Sequence, residues 1–315
     1  MARSCPVATS STDLRSAAPR TGPFFVASAA VCWALIGIFA NELNALGFTP
    51  VNIAAWRAGG AGLMFVAASR WRAVLQGDTP VSVGPTSRAT CLRLGVFGVV
   101  GVVVFFVALP AAIRSGGVTL AYVLLYTAPA WVTVGHLAMG HPVQRLGIVL
   151  AGVAVLGVAM VVWGAGSAMA VSWRSVALGL LSGVSYASYY LLGKRLFGEF
   201  GLQRTYAWVL PLGALALFVI GGVKVPHGIG WVWVVALASV STFVPYLLFA
   251  MGLARMGAPQ ASVIACVEPV VAAAIGVMMY GERLGFRSVV GAIMVIVSAV
   301  AAAMLSQPTH TGARI

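Results

Sequence analysis

Charge is what this sequence has least of. Only 8% of its 315 residues are charged, against about a quarter in an ordinary water-soluble domain. Most of the chain therefore faces something other than water. Acids are the scarcest: Asp13, Glu42, Asp78, Glu199, Glu268 and Glu282 complete the set. They are scattered, with no two at helical spacing. That argues against a membrane-embedded enzyme, which usually gathers acids or a His/Asp set at one face, commonly around a metal. Cys5, Cys32, Cys91 and Cys266 lie far apart without C-x-x-C or His spacing. Neither a zinc site nor a disulfide framework is indicated, and Cys32 and Cys266 read as small buried hydrophobes. The glycine clusters at Gly59-Gly60-x-Gly62 and Gly95-x-x-Gly98-x-x-Gly101 have no strand–turn–helix context, so none is a dinucleotide fingerprint. They suit close helix packing in lipid. With no ATP-binding motif either, no cofactor and no nucleotide hydrolysis are expected.

What is abundant is apolar sequence: 61% of the residues are hydrophobic and the mean hydropathy is +1.00. A helix crosses the hydrocarbon core with roughly 20 mainly apolar residues. Ten segments qualify, at 24–44, 51–69, 92–112, 117–137, 145–164, 175–193, 205–222, 230–252, 260–280 and 285–305. The fold class expected is an all-α integral membrane protein of ten transmembrane helices. Arg15 and Arg20 before the first run resemble a signal peptide, but no small-residue cleavage site follows, so that run is read as a helix.

A net charge of +13 raises nucleic acid as a partner. The bases, however, fall in short clusters between apolar runs, such as Arg70 with Arg72 and Lys194 with Arg195, and not on one solvated face. Nucleic acid is not expected. Cytoplasmic loops carry the excess of Lys and Arg. With the N-terminus inside, thirteen of the 19 bases fall on the cytoplasmic side, five outside, and Arg57 within a span. Both termini are thus expected in the cytoplasm. The stretch 70–92 reads as the long polar connection, mobile and cytoplasmic.

The chain also matches itself. At an offset of 140, Gly117 falls on Gly257, Ala121 on Ala261 and Pro129 on Pro269. Met139-Gly140-His141 aligns with Tyr280-Gly281-Glu282 one residue later, and Trp33-Ala34 aligns with Tyr186-Ala187 at an offset of 153. Two five-helix repeats are expected, at 24–164 and 165–305, between cytoplasmic tails at 1–23 and 306–315. Five is odd, so the second copy must be inverted in the membrane. Inverted repeats place a binding site near the midplane between the halves and allow two mirror-related open states.

These residues resemble the drug/metabolite transporter superfamily with paired EamA-type domains. The resemblance rests on Cys32-Trp33-Ala34 in the first span, Trp56-Arg57-Ala58 opening the second, and Pro129 and Pro269 in the fourth and ninth. Gly281-Glu282-Arg283-Leu284, followed by Gly291, is similar to that family's end-of-domain signature. The likeness runs from about residue 24 to 305. The first half departs from the pattern, with His141-Pro142 where the family usually shows Glu. The resemblance implies a bacterial inner-membrane transporter, with export more usual than uptake. It leaves open whether the cargo is an amino acid, a sugar, a nucleotide derivative or a drug.

Few residues can carry the site's chemistry. Arg57 lies roughly 9 Å below the outer surface at 1.5 Å per residue, where an unpaired charge needs a partner or a wet cavity. It either holds a carboxylate or phosphate of the substrate or pairs with Glu42 near the same surface. Glu268 stands near mid-bilayer, directly before Pro269. The proline removes a helix hydrogen bond and frees carbonyls to line a polar path. Burial penalises the charged form of a carboxyl, so Glu268 is the candidate proton carrier; the alternative is a structural carboxyl at the proline break. Its counterpart in the first half is Ala128, which favours function over fold maintenance. Tyr122, Tyr126, Pro129 and Thr133 share one face of the fourth span, and Tyr186, Tyr189, Tyr190 and Gly193 one face of the sixth. Trp33, Gly37 and Asn41 form a stripe on the first. Such rings suit an amphipathic organic substrate, although aromatics also anchor spans and fill packing. The substrate-binding set expected is Trp33, Asn41, Arg57, Tyr122, Tyr126, Tyr186, Tyr190 and Glu268. His136 and His141 read as a solvated pair before a proton relay.

No span repeats charges as a pore lining would, which argues against a channel. The function expected is a secondary transporter exporting a small amphipathic metabolite, an amino acid first, by alternating access; a multidrug exporter of lipophilic cations is the alternative. The partners implied are this small-molecule substrate, membrane lipid and protons. The sequence carries no mark of a particular oligomeric state.

Overall fold

The computed structural model describes residues 21–75, 87–164, 171–280 and 285–305. The tails at 1–20 and 306–315, most of the polar connection (76–86) and the Gly-Glu-Arg-Leu stretch at 281–284 lie outside the described residues. Among those residues there is no strand, and ten helices are long and apolar enough to cross a membrane. They are α1 Thr21–Ala45, α2 Pro50–Trp71, α3 Arg88–Gly117, α4 Leu120–Ala138 and α5 Arg145–Trp163 in the first half. The second half has α6 Trp173–Phe200, α7 Leu202–Gly221, α8 Gly230–Leu253, α9 Ala258–Met279 and α10 Phe286–Met304. Each expected span finds its helix. The polar connection is shorter than its composition suggested, because helix continues from α2 to Leu75 and restarts at Arg88. There the Ser87 side chain caps the new helix by accepting from the Thr90 N–H at 3.1 Å, which satisfies one of the N–H groups a helix start leaves unpaired.

The halves interlock by a simple rule. Helix α1 packs on α8, α2 on α7, α3 on α6, α4 on α9 and α5 on α10. Numbered within each half, the first helix meets the third, the third meets the first, and the second, fourth and fifth meet their own counterparts. Exchanging the halves leaves that list unchanged, as a pseudo-two-fold axis requires. An odd number of helices per half makes the copies antiparallel, so the axis lies in the membrane plane.

Small residues make the pairings close. A Cβ built on Gly62 of α2 would stand 2.7 Å from the Pro211 ring of α7, and one on Gly157 of α5 would stand 2.9 Å from the Gly291 carbonyl of α10. Lipid supplies no hydrophobic drive between helices, so association depends on such backbone approach.

In two helix pairs, α4 with α9 and α3 with α8, the interruptions match across the repeat. In α4 the first segment ends at Leu125 and the second starts at Ala128; in α9 the first ends at Ala265 and the second starts at Val267. Leu125 and Ala265 are the residues four before Pro129 and Pro269. A proline ring clashes with the carbonyl at that position and offers it no N–H. Helices α3 and α8 each carry a π-helical segment, Gly98–Val104 and Ser239–Phe243. Helix α1 breaks once, at Leu35. The irregularities of α1, α3, α4, α8 and α9 lie within the spans, away from the helix ends.

Candidate functional site

A cavity of about 870 Å³ lies between the halves. Its mouth is formed by Asn44, Pro50 and Arg114, at the end of α1, the start of α2 and the end of α3, all on one face of the membrane bundle. Its floor lies near mid-bilayer and is aromatic. Trp33 of α1 meets Tyr186 of α6 at 6.4 Å and Tyr246 of α8 at 6.0 Å between ring centroids, while Phe105 of α3 stacks on Tyr186 at 5.6 Å. Trp33 and Tyr186 are the pair that the repeat aligns. The Trp33 Nε1–H has no hydrogen-bond partner among the described residues.

Three charged side chains line this cavity: Arg114 at its mouth and, deeper and from opposite halves, Arg57 and Glu268. Arg57 reaches it from α2. Its Nε donates to Thr242 Oγ1 of α8 at 2.9 Å, and its guanidinium carbon lies 5.1 Å from the centre of the Phe106 ring. Arg57 forms no ion pair with Glu42, although both are among the described residues. The salt-bridge reading of Arg57 is therefore set aside: its partner is a hydroxyl 185 positions away. Glu268 enters from α9 in the first turn of the segment that restarts after the break. A helix N-terminus favours negative charge there. The Tyr126 hydroxyl, at the matching break in α4, faces the Glu268 carboxyl, and Arg57 is near enough for its charge to act on Glu268. The two ions do not bond to each other.

Seven of the eight residues expected at the site line this cavity: Trp33, Asn41, Arg57, Tyr122, Tyr126, Tyr186 and Glu268. Tyr190 does not. It is buried behind the floor, 5.1 Å from the Phe249 ring and 5.5 Å from that of Tyr186. Its place on the cavity is taken by Tyr189, whose hydroxyl lies 3.2 Å from that of Tyr246. Tyr246, Phe105, Phe106 and Arg114 line the cavity without having been singled out. Phe105 meets Tyr186 as Tyr246 meets Trp33, the aligned pair, and at the offset of 140 Phe106 falls on Tyr246, so extending the repeat into α3 and α8 would have marked this turn. His136 and His141 lie outside the cavity, with ring centroids 5.0 Å apart, and His141 is exposed.

Beneath the floor the bundle is closed. Tyr206 packs 4.8 Å from the Tyr246 ring and 5.0 Å from that of Phe65, and Phe97 packs 5.3 Å from Tyr189; Tyr206, Phe65 and Phe97 are fully buried. Further out, Lys194 Nζ donates to the Met256 carbonyl at 2.6 Å, and Glu199 of α6 binds both Arg93 of α3 and Arg195, at 2.7 and 2.8 Å. Access in this state is thus from one face only.

Ten apolar helices in two inverted sets of five, enclosing a one-sided polar and aromatic cavity, define a multi-pass membrane transporter. The sequence comparisons place it more narrowly. The model of the EamA-like transporter family matches twice, over residues 20–163 and 173–304, and the chain belongs to that family. An uncharacterized transporter of Archaeoglobus fulgidus is 29% identical over 211 residues, covering 66% of this chain and 73% of its own. The uncharacterized inner membrane transporter YicL of Salmonella typhimurium is 23% identical over 294 residues, covering 89% and 94%. A solved crystal structure superposes with a TM-score of 0.74 at 16% identity, covering 91% of this chain and 97% of that one. At that identity it supports the fold alone.

Proposed function

We propose that this chain is a secondary transporter of a bacterial inner membrane that exports a small zwitterionic metabolite of the amino-acid class. The observation that carries this reading is the pair of opposite charges, Arg57 and Glu268, facing one cavity without bonding to each other. Arg57 would take a carboxylate through its fork of donors. Glu268, from the other half, would take the ammonium group. The aromatic floor of Trp33, Phe105, Tyr186 and Tyr246 would cover the apolar part. Each ion occurs in one half only, so the cargo binds in one orientation although the fold is pseudo-symmetric.

Glu268 can hold an ammonium group or a proton, but not both. That exclusion couples proton entry to cargo exit. The two repeats, 24–164 and 165–305, move against each other about the midplane. With both termini cytoplasmic, as the distribution of bases favours, the cavity mouth faces outward in this state.

A second reading is favoured by the same floor: rings around a carboxylate also suit a lipophilic cation. One experiment separates the two. Everted membrane vesicles with an imposed proton gradient are offered labelled amino acids and cationic dyes. The amino-acid reading expects an accumulated amino acid whose transport is lost in Arg57→Ala. In Glu268→Gln, exchange of that amino acid persists at a raised KM, because the amide oxygen still accepts from the ammonium group without the charge, but its dependence on the gradient disappears. Dye transport that survives Arg57→Ala but not Glu268→Gln selects the second reading. Transport unaltered by either substitution removes both.

A further inference from the structure

The two π-helical segments sit at matching places in the repeat, and Arg57 lies between them. This convergence has a chemical consequence. In α8 the wider turn of Ser239–Phe243 carries Thr242, which is fully buried. Its hydroxyl donates to the Leu237 carbonyl, five residues back, at 3.0 Å. The proton is thereby committed, and the lone pairs of Oγ1 are left to accept from Arg57 Nε at 2.9 Å. In α3 the segment Gly98–Val104 ends one residue before Phe105, and Phe106 then presents its ring to the guanidinium at 5.1 Å. Here too a bond from another helix holds the irregular turn, since the Ser185 hydroxyl of α6 donates to the Val100 carbonyl. A π segment disturbs the regular backbone pairing and is frequent at functional sites.

Arg57 is thus fixed at two of its parts. Thr242 holds Nε, and Phe106 covers one face of the plane. The terminal amines make no hydrogen bond to the described residues, and the side chain lines the cavity. An arginine whose Nε is already occupied presents its two terminal amines together, which is one of the ways a guanidinium meets a carboxylate with two parallel bonds. A lysine could not be held this way, because it has no Nε–H to give Thr242.

We infer that Thr242 is a positioning residue for carboxylate recognition: it orients Arg57 so that both terminal amines face the cargo. The inference rests on the amino-acid reading of the cavity and names the part of the site that sets specificity for a carboxylate. Orientation lost at such a contact weakens a charge-assisted bond, which corresponds to roughly a tenfold rise in KM.

The test measures transport in vesicles of the twenty labelled amino acids and of the amines formed by their decarboxylation. For the best transported amino acid, Thr242→Val should raise KM about tenfold with little change in maximal rate. Thr242→Ser should restore the parent value, and KM for the matching amine should not move. In an Arg57→Lys background, Thr242→Val should add nothing. Should the valine variant fail to insert, Thr242→Ala removes the same acceptor and carries the same expectation. The inference is overturned if KM for the amino acid is unchanged, if amine and amino acid are affected alike, or if serine does not rescue. If Arg57→Ala impairs amino-acid transport while Thr242→Val and Thr242→Ala do not, only the positioning role falls. If Arg57→Ala is without effect, or no amino acid is moved, the amino-acid reading falls and this inference with it.

Discussion

The contact between α2 and α7 can be tested by a single methyl group. Gly62→Ala adds a Cβ that would stand 2.7 Å from both Cδ and Cγ of Pro211 and 3.0 Å from its nitrogen. The proline ring and its backbone have no flexible end to swing aside. Carbon contacts are comfortable from about 3.5 Å, so the two helices must part by roughly 0.8 Å or distort. Overpacking of this kind costs about 1–3 kcal/mol. For a chain of this size that corresponds to a fall in melting temperature of about 2–10 °C, measurable by fluorescence in detergent. Gly152→Ala is the control, because nothing lies within 4 Å of a Cβ there, and it should be neutral or slightly stabilising. A functional effect follows as well. Arg57 lies five residues from Gly62 on the same helix, about 7.5 Å along its axis, so a shifted α2 carries the guanidinium away from Thr242. Amino-acid KM should rise with the loss of stability. If Gly62→Ala melts with the parent while Gly152→Ala does not differ, the close packing of the halves along α2 and α7 is wrong.

Other consequences can be checked in the same vesicles. Tyr126→Phe removes the hydroxyl facing Glu268 and should alter the pH dependence of transport. Tyr190→Phe, away from the cavity, should leave KM and pH dependence as they are; equal effects from the two would refute the division between lining and backing residues. Glu199→Gln breaks both ion pairs on the closed face and should favour its opening. A cysteine at Ser188, buried among the packing beneath the floor, should then react several-fold faster with a thiol reagent, and an unchanged rate would show that these pairs do not help to hold the face shut.

Much of the fold was legible because lipid imposes a severe rule: backbone polar groups must pair internally, so an apolar run long enough to span becomes a helix. The proline breaks were legible for a local reason, since Pro129 and Pro269 act on residues four positions back. The lining of the cavity was legible where charge or the repeat marked it, as at Arg57, Glu268 and the Trp33–Tyr186 pair. It was not legible where rotation of a helix decides. Tyr186, Tyr189 and Tyr190 crowd one side of α6, and the packing of Tyr190 against Phe249 turns it away while Tyr189 faces inward. Periodicity cannot separate neighbours at i+3 and i+4. Tyr246 escaped because the segment that carries it, Val244–Leu253, is apolar all round, leaving no polar stripe to contrast with it. The partner of Arg57 was out of reach for another reason. Glu42 is near in sequence, whereas Thr242 is brought to it only by the crossing of α2 and α8.

The central claim is that cargo binds between Arg57 and Glu268, and labelling at Ala272 tests it most directly. Ala272 lies one turn beyond Glu268 on α9 and lines the cavity. A cysteine is placed there after the native cysteines are replaced, and a membrane-impermeant thiol reagent is applied from the face bearing Asn44 and Arg114. The account predicts that labelling blocks transport, that saturating amino acid slows labelling, and that Arg57→Ala removes this protection. Labelling that proceeds at the same rate with and without cargo would contradict it.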